Sequence, residues 1–159
     1  VATLHFIYGK PGAGKTTLAR ALAASVPAVA VIEDAWLAAL AGPISSVEDY
    51  RAAARRIRTV IEPLAIQILG LGTSVVFDFA GNTVAHRSWV RSIFEAAGAD
   101  HALHVLEVPD AECKRRLRER NATRPPGLYF GDVAEALFDA IVPHIAPPTP
   151  TEGFTIMPR

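Results

Sequence analysis

The octapeptide Gly9-Lys10-Pro11-Gly12-Ala13-Gly14-Lys15-Thr16 constrains this chain more than any other feature, because it fits G-x-x-x-x-G-K-[ST] at every fixed position. Its flanks fit as well. Thr3 to Tyr8 (TLHFIY) is a short, β-rich apolar run that reads as a buried strand. Lys15 to Val26 follows as a helix, with Leu18 and Leu22 on one face and Pro27 beyond its end. Glycine lets backbone N–H groups turn inward with no Cβ in the way, and the helix N-terminus adds partial positive charge at the same point. Such a strand, loop and helix cradle phosphates. Gly12, Ala13, Gly14, Lys15, Thr16 and Thr17 are the expected contacts: Lys15 toward the β- and γ-phosphates, Thr16 toward Mg²⁺, Thr17 toward the α-phosphate.

The rest of the chain alternates strands with helices. Ala28 to Ile32 reads as a second strand, Asp34 to Ala41 as a short helix closed by Gly42-Pro43. Ser45 or Ser46 can cap a longer helix, in which Val47, Tyr50, Ala54, Ile57, Ile61, Leu64 and Ile68 step by three and four. Pro63 is expected to kink or split it. Ser74 to Phe77 is a third strand ending at Asp78, followed by a helix from about Thr83 to Ala97 that Gly98 stops. Ala102 to Val108 is a fourth strand, and Ala111 to about Asn121 a strongly basic helix. Arg124 to Gly131, with two prolines and two glycines, is a loop; Asp132 and Glu135 resemble a capping box for a helix to Val142. Pro143 to Pro150 suits a surface connector, and Phe154 to Met157 an edge strand. This alternation implies one three-layer α/β domain over residues 1–159, its parallel sheet covered by helices on both faces.

Composition narrows the partners. Sixteen Lys and Arg balance sixteen Asp and Glu, so no global field favours nucleic acid or an anionic membrane. The most apolar stretch, Val60 to Phe79, is broken by Glu62, Pro63, Gln67, Gly70 and Gly72, so a membrane span is not expected. The N-terminus enters a strand within three residues, which leaves no expected signal peptide and a cytoplasmic location. One cysteine excludes an internal disulfide framework; Cys113 is either a partly buried helix residue or a thiol acidified by Lys114 and Arg115. The histidines show no metal-ligand spacing.

Four further features carry possible chemistry. Val75-Val76-Phe77-Asp78 is an apolar strand ending in a carboxylate, suited to organising Mg²⁺ with Thr16 or to orienting the reacting groups. Glu33-Asp34 follows the second strand, where carboxylates of an open parallel sheet face the ligand cleft. There Asp34 can take a proton from an acceptor hydroxyl, or simply cap the helix that follows. Lys114, Arg115, Arg116, Arg118, Arg120 and Arg124 form a basic run in which Arg116 and Arg120 share one helix face. A basic helix entering a Pro/Gly loop is what a closing lid over residues 116–131 requires. Arg51, Arg55 and Arg58 form a second cationic stripe.

Together these residues resemble the small P-loop kinases of the nucleoside-monophosphate-kinase-like superfamily. The nearest pattern groups polynucleotide 5′-kinase domains with zeta-toxin-like and chloramphenicol-phosphotransferase-like kinases. The shared features are the P-loop, Asp34 after strand two, Asp78-x-x-x-Asn82 before an Arg87-bearing helix, and the Arg116-Leu117-Arg118-Glu119-Arg120 segment. The resemblance implies a P-loop NTPase fold with five parallel strands in the order 2-3-1-4-5. It also implies Asp34 as base, Arg116 and Arg120 as lid arginines, and Asp78 and Arg87 on the acceptor side. Polynucleotide kinases carry an arginine shortly after the catalytic Asp, where this chain has Trp36, Leu37 and Ala38, so nucleic acid is not the expected acceptor. The expectation is an ATP- and Mg²⁺-dependent phosphotransferase, with Lys15, Asp34 and Arg116 catalytic, acting on a small-molecule hydroxyl. Trp36 and Tyr50 could floor its acceptor site. A nucleotide or polynucleotide 5′-kinase and a regulatory NTPase are the alternatives.

Overall fold

The computed structural model describes residues 1–42 and 45–159. Five strands form one parallel sheet: β1 (Thr3–Tyr8), β2 (Ala28–Val31), β3 (Ser74–Ala80), β4 (Asp100–Val105) and β5 (Ile156–Pro158), in the spatial order β2-β3-β1-β4-β5. The helices between them are α1 (Lys15–Ser25), α2 (Glu33–Leu40), α3 (Val47–Gly70), α4 (Val84–Ala97), α5 (Asp110–Thr123) and α6 (Glu135–Ile141). The expected order and the three-layer arrangement are both present.

Side chains of a strand alternate between faces, and that alternation sorts the core. Leu4, Phe6, Tyr8, Val75, Phe77 and Phe79 pack in the layer shared with α3 and α4. Ile7, Ile32 and Val76 pack in the other layer, against α1. Asp78 has the parity of Val76, so it projects toward α1. This parity places its carboxylate under the phosphate-binding loop, and β3 extends past it to Ala80 rather than stopping before it.

Several local expectations need correction. α2 begins at Glu33 with Ile32 as its N-cap, so Asp34 lies inside the first turn and caps nothing. α3 runs unbroken through Pro63, with Ala53, Ile57, Ile61, Ala65 and Leu69 buried along one stripe whose burial outweighs the lost backbone bond. Ser46 rather than Ser45 caps it, accepting from the Asp49 N–H. Gly42 sits at φ 67°, and Pro43 lies outside the described residues. β4 ends at Val105, because Leu106 and Val108 turn into the cluster under α5 and α6. The Asp132/Glu135 capping box does not form: Ala134 is the N-cap of α6, and Asp132 instead accepts from the Tyr129 hydroxyl. Among the described residues no helix is long and apolar enough to cross a membrane.

Candidate functional site

The loop between β1 and α1 shows why glycine is required at two positions. Gly12 has φ 79° and Gly14 φ 98°, both in the left-handed region. A Cβ on Gly12 would lie 2.6 Å from the Cys113 carbonyl oxygen, so α5 packs directly on the loop. Gly14 is the N-cap of α1, whose first turn contains no acidic residue and no side-chain cap. The amide donors of that turn therefore face the cleft with the positive end of the helix dipole. Lys15 Nζ donates to the carbonyls of Gly9 and Lys10, at 2.8 and 3.0 Å. Burial pushes its ammonium pKa down, and the Asp78 and Asp34 charges oppose that shift. Thr17 is exposed one residue past Thr16.

Thr16 and Asp78 meet beneath the loop. The Thr16 hydroxyl donates to Asp78 Oδ2 at 2.9 Å, and the Glu33 N–H donates to Oδ1 at 3.2 Å. Asp78 is buried, and desolvation raises its pKa to about 6; Asp34 adds to the rise, while the Thr16 and Glu33 hydrogen bonds oppose it. Among the described residues no cluster of three or more His, Cys, Asp or Glu could hold a metal alone. A hydroxyl paired with one carboxylate suits Mg²⁺, which takes few protein ligands and completes its octahedron with phosphate and water oxygens.

The α5 flank brings the expected lid arginines to the loop. Arg116 Nη1 makes a long contact to the Ala13 carbonyl, 3.4 Å, while its Nε donates to Glu112 at 2.9 Å. Arg120 stands close enough to Lys15 to lower that ammonium's proton affinity, and its Nε is buried with no hydrogen-bond partner among the described residues. An unpaired buried guanidinium N–H beside a P-loop fits a phosphate oxygen. Beyond α5, Arg20 donates to the Gly127 carbonyl at 2.9 Å and Phe130 packs against the α1 layer, so the Pro/Gly segment rests on α1. Cys113 is fully buried under the loop, and burial raises its thiol pKa, which overturns the acidified-thiol reading.

The opposite flank holds Asp34 exposed at the start of α2, near enough to Lys15, Asp78 and Tyr50 to shift their proton affinities. Behind it Glu33 is buried against Arg58, which donates to both of its carboxylate oxygens, at 3.1 to 3.4 Å, and contacts His86 Nε2 at 2.7 Å. The Arg58 guanidinium also lies 5.8 and 5.5 Å from the Phe79 and Trp89 ring centroids. Arg58 is thus committed to the fold, while Arg51 and Arg55 are exposed. Trp36 leaves the cleft for a groove between α2 and α3, beside Leu40, Ala53 and Ile57.

Arg87, expected on the acceptor side, lies inside the fold. It is fully buried, donates to both oxygens of Glu152 at 2.8 and 3.1 Å, and donates to the Gly81 and Ala146 carbonyls at 2.8 and 2.7 Å. Those bonds staple the C-terminal segment to the β3–α4 connection and leave little of the guanidinium for a substrate. Asn82, named in the sequence only as part of the Asp78-x-x-x-Asn82 pattern and given no role of its own, clasps Gly9, the first residue of the loop, in two side-chain hydrogen bonds.

Comparisons with known proteins agree with this geometry. A kinase candidate from Chloroflexus aurantiacus shares 20% identity over 99% of this chain and 84% of its own, with a TM-score of 0.75. Kti12 of Chaetomium thermophilum, in complex with ADP-AlF3, is 17% identical over 98% of this chain and 88% of its own, TM-score 0.70. The APS kinase CysC of Mycobacterium tuberculosis, in complex with AMPPNP and APS, is 22% identical over 78% of this chain and 73% of its own, TM-score 0.55. At these identities the likeness is one of fold. No curated protein matches the chain significantly. The family model described as an AAA domain, AAA_33, matches residues 4–148, and with its P-loop and its kinase-like fold the chain belongs to that family.

Proposed function

We propose that this protein is an ATP- and Mg²⁺-dependent phosphotransferase that moves the γ-phosphate to a hydroxyl of a small molecule. Mg²⁺, held through Thr16 and Asp78, would supply charge neutralisation between the β- and γ-phosphates. The loop amides and Lys15 hold the phosphates, and Arg116 and Arg120 offset charge on the transferring group when residues 116–131 close as a lid. Asp34 positions the acceptor hydroxyl and takes its proton.

The observation that carries this reading is the state of Asp34. Its carboxylate is exposed, caps no helix, and lies near enough to Lys15 and Asp78 to shift their proton affinities. A nucleotide-binding switch has no need of such a group, whereas a hydroxyl acceptor does.

The test combines a product screen with Asp34→Asn. Labelled ATP is offered with hydroxyl metabolites, nucleosides, antibiotics and 5′-OH oligonucleotides, and labelled products are identified. With the acceptor found, Asp34→Asn is expected to lower kcat by roughly 10²–10⁴-fold while nucleotide affinity stays within a few-fold of wild type. Turnover within a few-fold of wild type would remove Asp34 from the chemistry. Label found only on oligonucleotides would replace the small-molecule acceptor, and slow hydrolysis with no acceptor would point to a regulatory NTPase.

A further inference from the structure

The entry to the P-loop is held by a strained turn at the end of β3. Ala80 adopts φ 70°, a left-handed conformation that residues with a Cβ avoid. At Gly81 the chain runs so close to β1 that a Cβ there would lie 2.3 Å from the Ile7 carbonyl oxygen. The β1–β3 register shifts at the same place, between Phe6 and Ile7, with Ile7 opposite Ala80. Strain of this kind persists only where the surroundings over-determine it, and it gathers at functional positions.

The turn delivers Asn82 to Gly9. Asn82 Oδ1 accepts from the Gly9 N–H at 2.8 Å, and Asn82 Nδ2 donates to the Gly9 carbonyl at 2.9 Å. The Gly9 N–H fixes which end of the amide faces it. Asn82 is itself anchored, since its carbonyl accepts from the Ala146 N–H at 2.9 Å. The Gly9 carbonyl has a second donor, Lys15 Nζ, at 2.8 Å.

We propose that Asn82 is a positioning residue for the nucleotide site, one that fixes Gly9 and keeps the Gly9 carbonyl hydrogen-bonded so that Lys15 can leave it for a phosphate. This rests on the reading of Lys15 as a phosphate ligand. Lys15 uses two of its three N–H groups on the Gly9 and Lys10 carbonyls, so donating to both the β- and the γ-phosphate takes at least one of them away, and the Lys10 carbonyl keeps the Ala13 N–H as a donor. A part-buried carbonyl stripped of its only donor opposes that move. With Asn82 Nδ2 on the same oxygen, the move strands nothing.

A double-mutant cycle on the full chain tests the idea, reading the affinity for AMPPNP with Mg²⁺ by calorimetry and the fold by thermal unfolding. Asn82→Ala is expected to weaken binding about tenfold when Lys15 is present, the scale of one lost hydrogen bond, and less than about threefold in a Lys15→Ala background. Equal losses in both backgrounds would make Asn82 mere scaffold and overturn the proposal, as would no loss in either. Asn82→Asp guards against a misfolded alanine variant, because its carboxylate still accepts from the Gly9 N–H. It cannot donate to the Gly9 carbonyl and it attracts Lys15, so it should bind AMPPNP at least as weakly as Asn82→Ala; wild-type affinity would also overturn the proposal. Nucleotide affinity alone is read, so a failure to find any phosphate acceptor leaves this result standing.

Discussion

Two arginines, Arg87 on α4 and Arg120 on α5, stand in opposite situations. Arg87 is buried and its donors are taken up by Glu152, Gly81 and Ala146. Arg120 lies within reach of the Lys15 charge, with a buried Nε that has no partner among the described residues. A guanidinium whose three nitrogens all donate within the fold holds it together. One left with a buried, unpaired donor carries an unmet desolvation cost that a phosphate oxygen would relieve. The same residue type thus marks a staple on one side of the sheet and a candidate ligand on the other.

The comparison breaks first at Arg120. Arg120→Ala is expected to lower kcat by about 10³-fold or more, the scale at which arginines stabilise a transferring phosphoryl group. It should leave the melting temperature nearly unchanged. In the wild type, AMPPNP and Mg²⁺ should raise hydrogen-exchange protection across residues 116–131, and the variant should lose much of that gain. Arg116, already shared with Glu112, should show a smaller loss. An Arg120→Ala protein that transfers phosphate normally would put Arg120 in the same class as Arg87.

Arg87→Ala should show the reverse pattern. Removing Arg87 strands the Gly81 and Ala146 carbonyls and leaves the part-buried Glu152 carboxylate with only its Thr149 donors, at a cost of about 2–5 kcal/mol read by denaturant titration. Transfer per folded molecule should change far less than stability does. A large kcat loss with unchanged stability would restore Arg87 to the acceptor side.

The smallest effect concerns Asp78, which lies between the two flanks. Its folded pKa of about 6 is above the unfolded value of 3.8, so the native state binds more protons between those values. Stability therefore falls as pH rises from about 4 through 6, and the ionised carboxylate is a net cost above that range. Asp78→Asn should gain about 1–2 kcal/mol at pH 8, with the gain shrinking toward pH 4. Wild-type affinity for Mg²⁺–AMPPNP should weaken as pH falls through about 6, where Asp78 takes up its proton; Asp78→Asn should not show that dependence. A gain in stability independent of pH would separate it from this carboxyl.

What the sequence determined lies in short stretches. The P-loop is contiguous, so Gly12, Gly14, Lys15 and Thr16 could be read without any partner. The strands were legible as apolar runs between turn residues, with Asp78 at the end of the third, while its side of the sheet followed only from which layers Phe77 and Val76 pack in. Only tertiary structure decided the rest, because those pairs are far apart in the chain. Arg87 meets Glu152 across 65 positions, and Asn82 meets Gly9 across 73. A capping signal at Asp34 depends on where the helix starts, and α2 starts two residues earlier, with Ile32 buried in the α1 layer as its N-cap and the Glu33 N–H bound to Asp78. A charged side chain carries the same letter whether its donors are engaged or free, and only burial among specific neighbours decides which it is.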